Sequence, residues 1–239
     1  KVGTLTTYLL LSLSIYAERR EMIRMFKKEP KAFVFGDKVN LRAEPSKTAK
    51  IVTVLPIGTE LKIGEIVESP DESDQFAWVQ SETKDGKKGY VHETLITVHT
   101  LKLKDSKSIY LGIANAATPQ YELRLVETNT LLSRLTLPKK YVNFISFERI
   151  KTDFASPPYF LRVSDSTGDA CGEPIYHTLI QIKDDALSLL LENTGYIDAD
   201  LGLFYDYRII KEPTGRFKIL EIEDHVIEDL GSKYKHEEK

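Results

Sequence analysis

VNLRAEPSKTAKIVTVLPIGTELKI, residues 39–63, decides the fold. Val39 and Leu41 alternate with Asn40 and Arg42, the two-residue period of a strand with one wet face. EPSK (44–47) and PIGT (56–59) interrupt the apolar runs with turn-forming residues, and IVTVL between them is rich in β-branched side chains. The same period continues outward: AFVF (32–35), VNLRA (39–43), KIVTVL (50–55), ELKIGEIVE (60–68), FAWVQSE (76–82) and KGYV (88–91) are short runs divided by turn sets. Six short strands in so few residues predict a small antiparallel barrel over 32–100. Asp85-Gly86 predicts a type I′ hairpin, which needs positive φ at both central positions. Gly58 and Gly89 read as backbone requirements, one for a close turn and one to relieve crowding beside Tyr90.

Taken together, VNLRAEPSKTAKIVTVLPIGTELKI (39–63), WVQ (78–80) and DGKKGYVHETLI (85–96) resemble the bacterial SH3-like domain family, usually written SH3b. The family pattern has six parts in order: an Asn-Leu-Arg start, a Pro-Ser turn, an apolar strand, a Gly-Thr turn, a Trp-apolar pair and a Gly-Tyr-Val ending. All six occur here, within residues 33–97. The resemblance implies an antiparallel barrel that serves as a binding module in exported or cell-envelope proteins. Its ligands would be cell-wall peptide or glycan, or an envelope protein.

Arg42, Phe76, Trp78 and Tyr90 are the candidate ligand-binding residues. Trp78 is the only tryptophan, and with Phe76 and Tyr90 it can line a groove for an extended peptide or a sugar ring. The residues leave a second reading open, since a barrel this small also needs aromatics in its core. Likewise Asn40 or Arg42 can serve the fold by bonding loop carbonyls. The acidic stretch ESPDESD (68–74) places Glu68, Asp71, Glu72 and Asp74 beside the same strands, where a charge run is expected to be solvated.

Beyond Leu101 the alternation persists in YELRLVE (121–127), VNFISFERI (142–150), PYFLRV (158–163), YHTLIQIK (176–183), ALSLLLE (186–192), LFYDYRII (203–210) and RFKILEIE (216–223). The fold class is therefore all-β: an SH3-like barrel followed by a second antiparallel β-sandwich or barrel over 101–228. TVHTLKLKDSK, largely polar and without a strong core run, places the domain boundary within 97–107. Residues 229–239 read as a charged, frayed tail.

At the other end, the run from Leu5 to Ala17 has no charge and closes on a small residue, as secretory signal peptides do. About 13 residues are too few to span a bilayer, which takes about 20 in a helix. Export to a secreted or periplasmic location is the expectation, with 1–17 removed and 18–31 a linker or short helix. The charge order opposes it, because Lys1 precedes the run while Arg19, Arg20, Arg24, Lys27 and Lys28 follow it. The alternative is an amphipathic helix through Met22, Ile23, Met25 and Phe26.

Composition removes several classes. Lys and Arg number 33 against 36 Asp and Glu, so no polyelectrolyte field marks a nucleic-acid binder. One cysteine, Cys171, rules out an intrachain disulfide and any multi-cysteine metal site. As a nucleophile with His225 as base, Cys171 would be expected to open a helix, yet GDACGEPIY surrounds it with turn formers. Asp198, Asp200 and Gly202 echo a calcium loop, but Ile209 stands where its closing glutamate would be. No phosphate loop, G-x-S-x-G elbow or HExxH appears. The reading is a non-enzymatic binding protein without cofactor or metal. Its alternative is a cell-envelope enzyme with a site assembled in the second β-domain.

Overall fold

A computed structural model describes residues 31–71, 73–103, 106–115, 120–138, 145–152, 158–165, 173–198, 201–214, 216–227 and 235–238. The expectations for 1–17 and 18–30, and the pairing of Cys171 with His225, lie outside what is described. The chain forms two compact units, 1–142 and 143–239. Nearly every described element is a strand. The exception is one turn of 3₁₀ helix at Glu93–Leu95.

The first unit opens with β1 (Lys31–Phe33), β2 (Lys38–Arg42), β3 (Ile51–Pro56), β4 (Glu60–Val67), β5 (Trp78–Thr83) and β6 (Lys88–His92). They pair in the order β1-β4-β5-β6-β2-β3. All six match the runs read from sequence, because period-two burial on one face leaves little freedom of register. Val39, Leu41, Leu61, Val79 and Val91 are buried inward, whereas Gln80 is exposed and Asn40, Arg42 and Tyr90 are half-buried. A bridge between Val34 and Ile96 returns the chain to its start, reinforced where Thr97 N–H donates to the Phe33 carbonyl at 2.9 Å.

Four more strands belong to the same unit: β7 (His99–Lys102), β8 (Lys107–Asn115), β9 (Gln120–Glu127) and β10 (Thr130–Thr136), ordered β10-β9-β8-β7. The expected boundary at 97–107 is therefore displaced to 142/143. The cause is apolar surface that the barrel cannot cover alone. Phe35 and Ile57 are buried against Tyr110 and Val126, with Phe33 stacked on Tyr110 at 5.4 Å between ring centroids. Arg124 lies 4.1 Å from the Phe35 ring centroid while its Nη1 donates to the Phe35 carbonyl at 2.6 Å. Asn129 Nδ2 donates to the Ile57 carbonyl at 2.7 Å. Gly58 has φ +80, and a Cβ there would overlap the Thr128 carbonyl oxygen. The turn glycine of the barrel is thus also the point where the β9–β10 turn presses on it.

The second unit is a seven-stranded antiparallel sheet in sequential order. Its strands are β11 (Ile145–Arg149), β12 (Tyr159–Asp165), β13 (Glu173–Lys183), β14 (Ala186–Asp198), β15 (Leu201–Lys211), β16 (Phe217–Ile227) and β17 (Lys235–Glu238). Ile150, Phe160, Leu179, Tyr207 and Ile209 form its core, with Phe217 edge-on to Phe160. The all-β reading holds, and the strands expected in a single second domain are divided between the four-stranded sheet and this meander. The tail is not wholly frayed: Lys235–Glu238 pairs with β16, since an edge needs only backbone partners and tolerates charge.

The hairpin expectation is corrected. At Asp85-Gly86 only Gly86 has positive φ, and Gly86 N–H donates to the Thr83 carbonyl at 2.9 Å. The geometry is a type I turn followed by a left-handed glycine. Two successive positive φ values, 49 and 62, occur instead at Asp184 and Asp185, between the paired Lys183 and Ala186.

Candidate functional site: the outward face of β5, β6, β2 and β3

Register places three of the four candidate residues, Arg42, Tyr90 and Trp78, on one surface of the sheet. Arg42 pairs with Tyr90, Tyr90 with Gln80, and Ile51 with Arg42, so a row of four side chains crosses β3, β2, β6 and β5. Two residues further along β5 and β6, Trp78 pairs with His92 on that same face. Gly89 makes the close approach possible, because a Cβ there would overlap the Arg42 carbonyl oxygen.

The four residues proposed from sequence then separate into two pairs. Arg42 and Tyr90 are half-buried and accessible. Arg42 Nη1 donates to the Ala49 carbonyl at 2.7 Å, which fixes the guanidinium and the 43–50 loop together. The fold-serving role read for Asn40 or Arg42 is thus filled by Arg42, which has further N–H donors. Phe76 and Trp78, in contrast, are only 7% and 3% exposed. They do not line an open groove, because the chain at 74–77 folds over the end of the face and packs them against His92.

His92 organises that covered end. Its Nε2–H donates to the Asp74 carboxylate at 3.1 Å and its Nδ1 accepts from the Thr94 hydroxyl at 2.7 Å, the arrangement of a neutral ring. Trp78 and Phe76 meet the ring edge-on, with centroids at 5.3 and 6.0 Å. Asp74 also takes an ion pair from Lys47 at 2.8 Å. Glu93 Oε2 accepts the Ala77 N–H at 2.6 Å, tying the 3₁₀ turn to the same segment. The acidic loop is therefore not simply solvated, since the Asp74 carboxylate is built into the fold; Glu72 lies outside the described residues. His92 stands two residues after Tyr90, so strand alternation alone could have placed it on this face. Asp74 and Lys47 come from loops, which carry no period.

Burial pushes the His92 imidazole below its ordinary pKa, with Asp74 opposing. Burial also pushes the Asp74 carboxyl up, but the Lys47 hydrogen bond, the neighbouring His92 and the Phe76 N–H outweigh it and leave it below the usual range. A histidine depressed in the fold takes its proton first in the unfolded chain. Stability is then full above the ordinary histidine pKa of about 6.5 and falls as pH drops below it. Urea unfolding from pH 8 to pH 5 is expected to show a decline in this window of at most about 1.4 kcal/mol per pH unit, the slope of one proton. His92→Gln should flatten it. A wild-type curve flat over that range would contradict the assignment.

Asp74, His92 and Thr94 stand in carboxylate–imidazole–hydroxyl order, the order of a nucleophile relay. Both His92 and Thr94 are buried. The hydroxyl's proton serves the imidazole and the set knits the fold. Among the described residues no group of three or more His, Cys, Asp or Glu side chains is arranged to hold a metal ion.

This unit is thus built on a small antiparallel barrel with one polar-aromatic face left partly open. Residues 37–97 match the family model for the bacterial SH3 domain, the segment in which the sequence motifs lie. No match to the chain was found among curated proteins or solved structures. Among the described residues no helix is long and apolar enough to cross a membrane.

Proposed function

We propose that the chain is an exported, non-enzymatic binding protein of the bacterial cell envelope. Its SH3-like barrel engages cell-wall peptide or glycan, or an envelope protein, through the row centred on Arg42 and Tyr90. The observation that carries this reading is the pairing of Arg42 with Tyr90 on the accessible face of a segment matching the bacterial SH3 domain. Tyr90 offers a flat ring to a sugar or extended backbone, while Arg42 and Gln80 offer polar groups that fix orientation. The burial of His92 and Thr94 supports binding over catalysis, because it leaves little of the hydroxyl open to a substrate. The uncharged run from Leu5 to Ala17 supports a secreted or periplasmic location.

The test joins location with attachment. Expressed with its native upstream residues in its bacterial host, the chain should fractionate outside the cytoplasm and begin at Glu18. It should also sediment with isolated cell walls or be retained by solubilised envelope protein. Tyr90→Ala should weaken that attachment about tenfold, as loss of an aromatic hot spot does. A chain that stays uncleaved in the cytoplasm, or binds neither preparation, would overturn the proposal.

A further inference from the structure

Strand β3 ends the six-stranded sheet and, among the described residues, is paired on one side only, with β2. Its side chains Ile51, Val52 and Val54 are 45%, 43% and 52% exposed. Edge strands in soluble proteins are ordinarily guarded by charge, and an uncharged, β-branched edge marks a surface that another chain covers. From Ile51 to Pro56 the strand contains no charged residue at all. The shift in register between Leu41 and Arg42 leaves Val52 as the extra, unpaired residue of the strand.

Charge identifies the kind of chain that fits. Residues 38–56 carry Lys38, Arg42, Lys47 and Lys50 against the single acid Glu44, although the whole chain has a net charge of -3. Lys47 is taken by Asp74 and Arg42 is fixed on the Ala49 carbonyl. Lys38 and Lys50 are exposed and form no ion pair among the described residues. Lys50 directly precedes Ile51, and Lys38 lies across from Pro56, so the two cations flank opposite ends of the apolar strip. At about 3.4 Å per residue the strip is about 17 Å long, the reach of some six extended residues. A second copy of the same strand fits poorly: two-fold antiparallel pairing would bring the Lys50 end of one copy against the Lys38 end of the other.

We propose that β3 is a docking edge for an extended segment of a partner protein, apolar at its centre and acidic at both ends. The site adjoins the Arg42–Tyr90 row at Ile51, which pairs with Arg42, but it is centred on the outer strand, and its further determinants are Val52, Val54, Lys38 and Lys50. Association rests on apolar contact along the strip, and the terminal carboxylates set the choice of partner.

The test uses two capped, fluorescein-labelled heptapeptides, alternating valine and threonine in the centre, one ending in glutamate at both ends and the other in lysine. In anisotropy titrations with the full chain, the glutamate peptide should bind saturably and weaken as salt rises, with the lysine peptide at least tenfold weaker. Val54→Lys, and separately Lys38→Glu with Lys50→Glu, should each weaken the glutamate peptide at least tenfold while thermal melting is unchanged. Tyr90→Ala should leave peptide binding intact, which separates this site from the cell-wall reading. Equal binding of the two peptides, no saturable binding at low salt, or an unaltered Val54→Lys variant would overturn the proposal. A dimer in sedimentation velocity that Val54→Lys dissolves would assign the edge to a second copy and also overturn it.

Discussion

Trp78→Ala is expected to destabilise the first unit by about 3–5 kcal/mol, the range for truncating a large buried aromatic. The indole is 3% exposed and meets His92 edge-on, so its removal opens a cavity beside the imidazole that holds Asp74 and Thr94. Two losses then coincide: dispersion contacts around the ring, and the dry surroundings that keep His92 neutral. Urea titration of the variant should show an earlier midpoint. A loss below about 1 kcal/mol would mean that the ring contributes little to the core, which its burial contradicts.

The second large effect concerns the extent of the folding unit. A fragment of residues 31–100 should lose its cooperative melt, while 31–142 should keep it. Phe35 and Ile57 are covered by Tyr110 and Val126. Exposing those two side chains costs about 3–6 kcal/mol at the usual 1.5–3 for each, which rivals the few kcal/mol that a core of this size supplies. The hydrogen bonds from Arg124 and Asn129 to the Phe35 and Ile57 carbonyls would be lost with them. Gly58→Val in the full chain should act in the same direction, because the left-handed backbone and the Thr128 carbonyl both exclude a Cβ. A 31–100 fragment that melts as cooperatively as 31–142 would restore the boundary read from the sequence.

That boundary illustrates what the sequence could carry. Val39, Leu41, Val79 and Val91 announce their strands because alternation is a local property, and the family motifs fix their order. Phe33, Phe35 and Ile57 announce nothing about whether their partners lie within the barrel or beyond it. TVHTLKLKDSK reads as a linker, yet His99–Lys102 forms a ladder with β8, because a short strand needs backbone partners more than apolar side chains. The site was half legible for the same reason. Arg42, Trp78 and Tyr90 share a face, as their strand positions require, but the His92 that Trp78 packs on is held by Asp74, a loop residue that Lys47 pairs from another loop. Nothing in their spacing reveals that Asp74 would reach His92. The turns divided similarly. Asp-Gly carries the stronger hairpin signal, yet the two-residue turn with positive φ at both positions fell to Asp184-Asp185, where tight pairing of β13 and β14 imposes it.

In the proposed binding mode the accessible Arg42–Tyr90 row holds the ligand, while the covered Trp78 supports the barrel. Quantitative sedimentation of the full chain with isolated bacterial cell walls or retention on solubilised envelope protein, paired with a melt of each variant, tests it most directly. Tyr90→Ala should lose about tenfold in attachment and keep a cooperative melt. Trp78→Phe should melt earlier and still attach in proportion to the fraction folded. Attachment unchanged in Tyr90→Ala but abolished in a fully folded Trp78→Phe would place the binding site at the covered end and contradict the account.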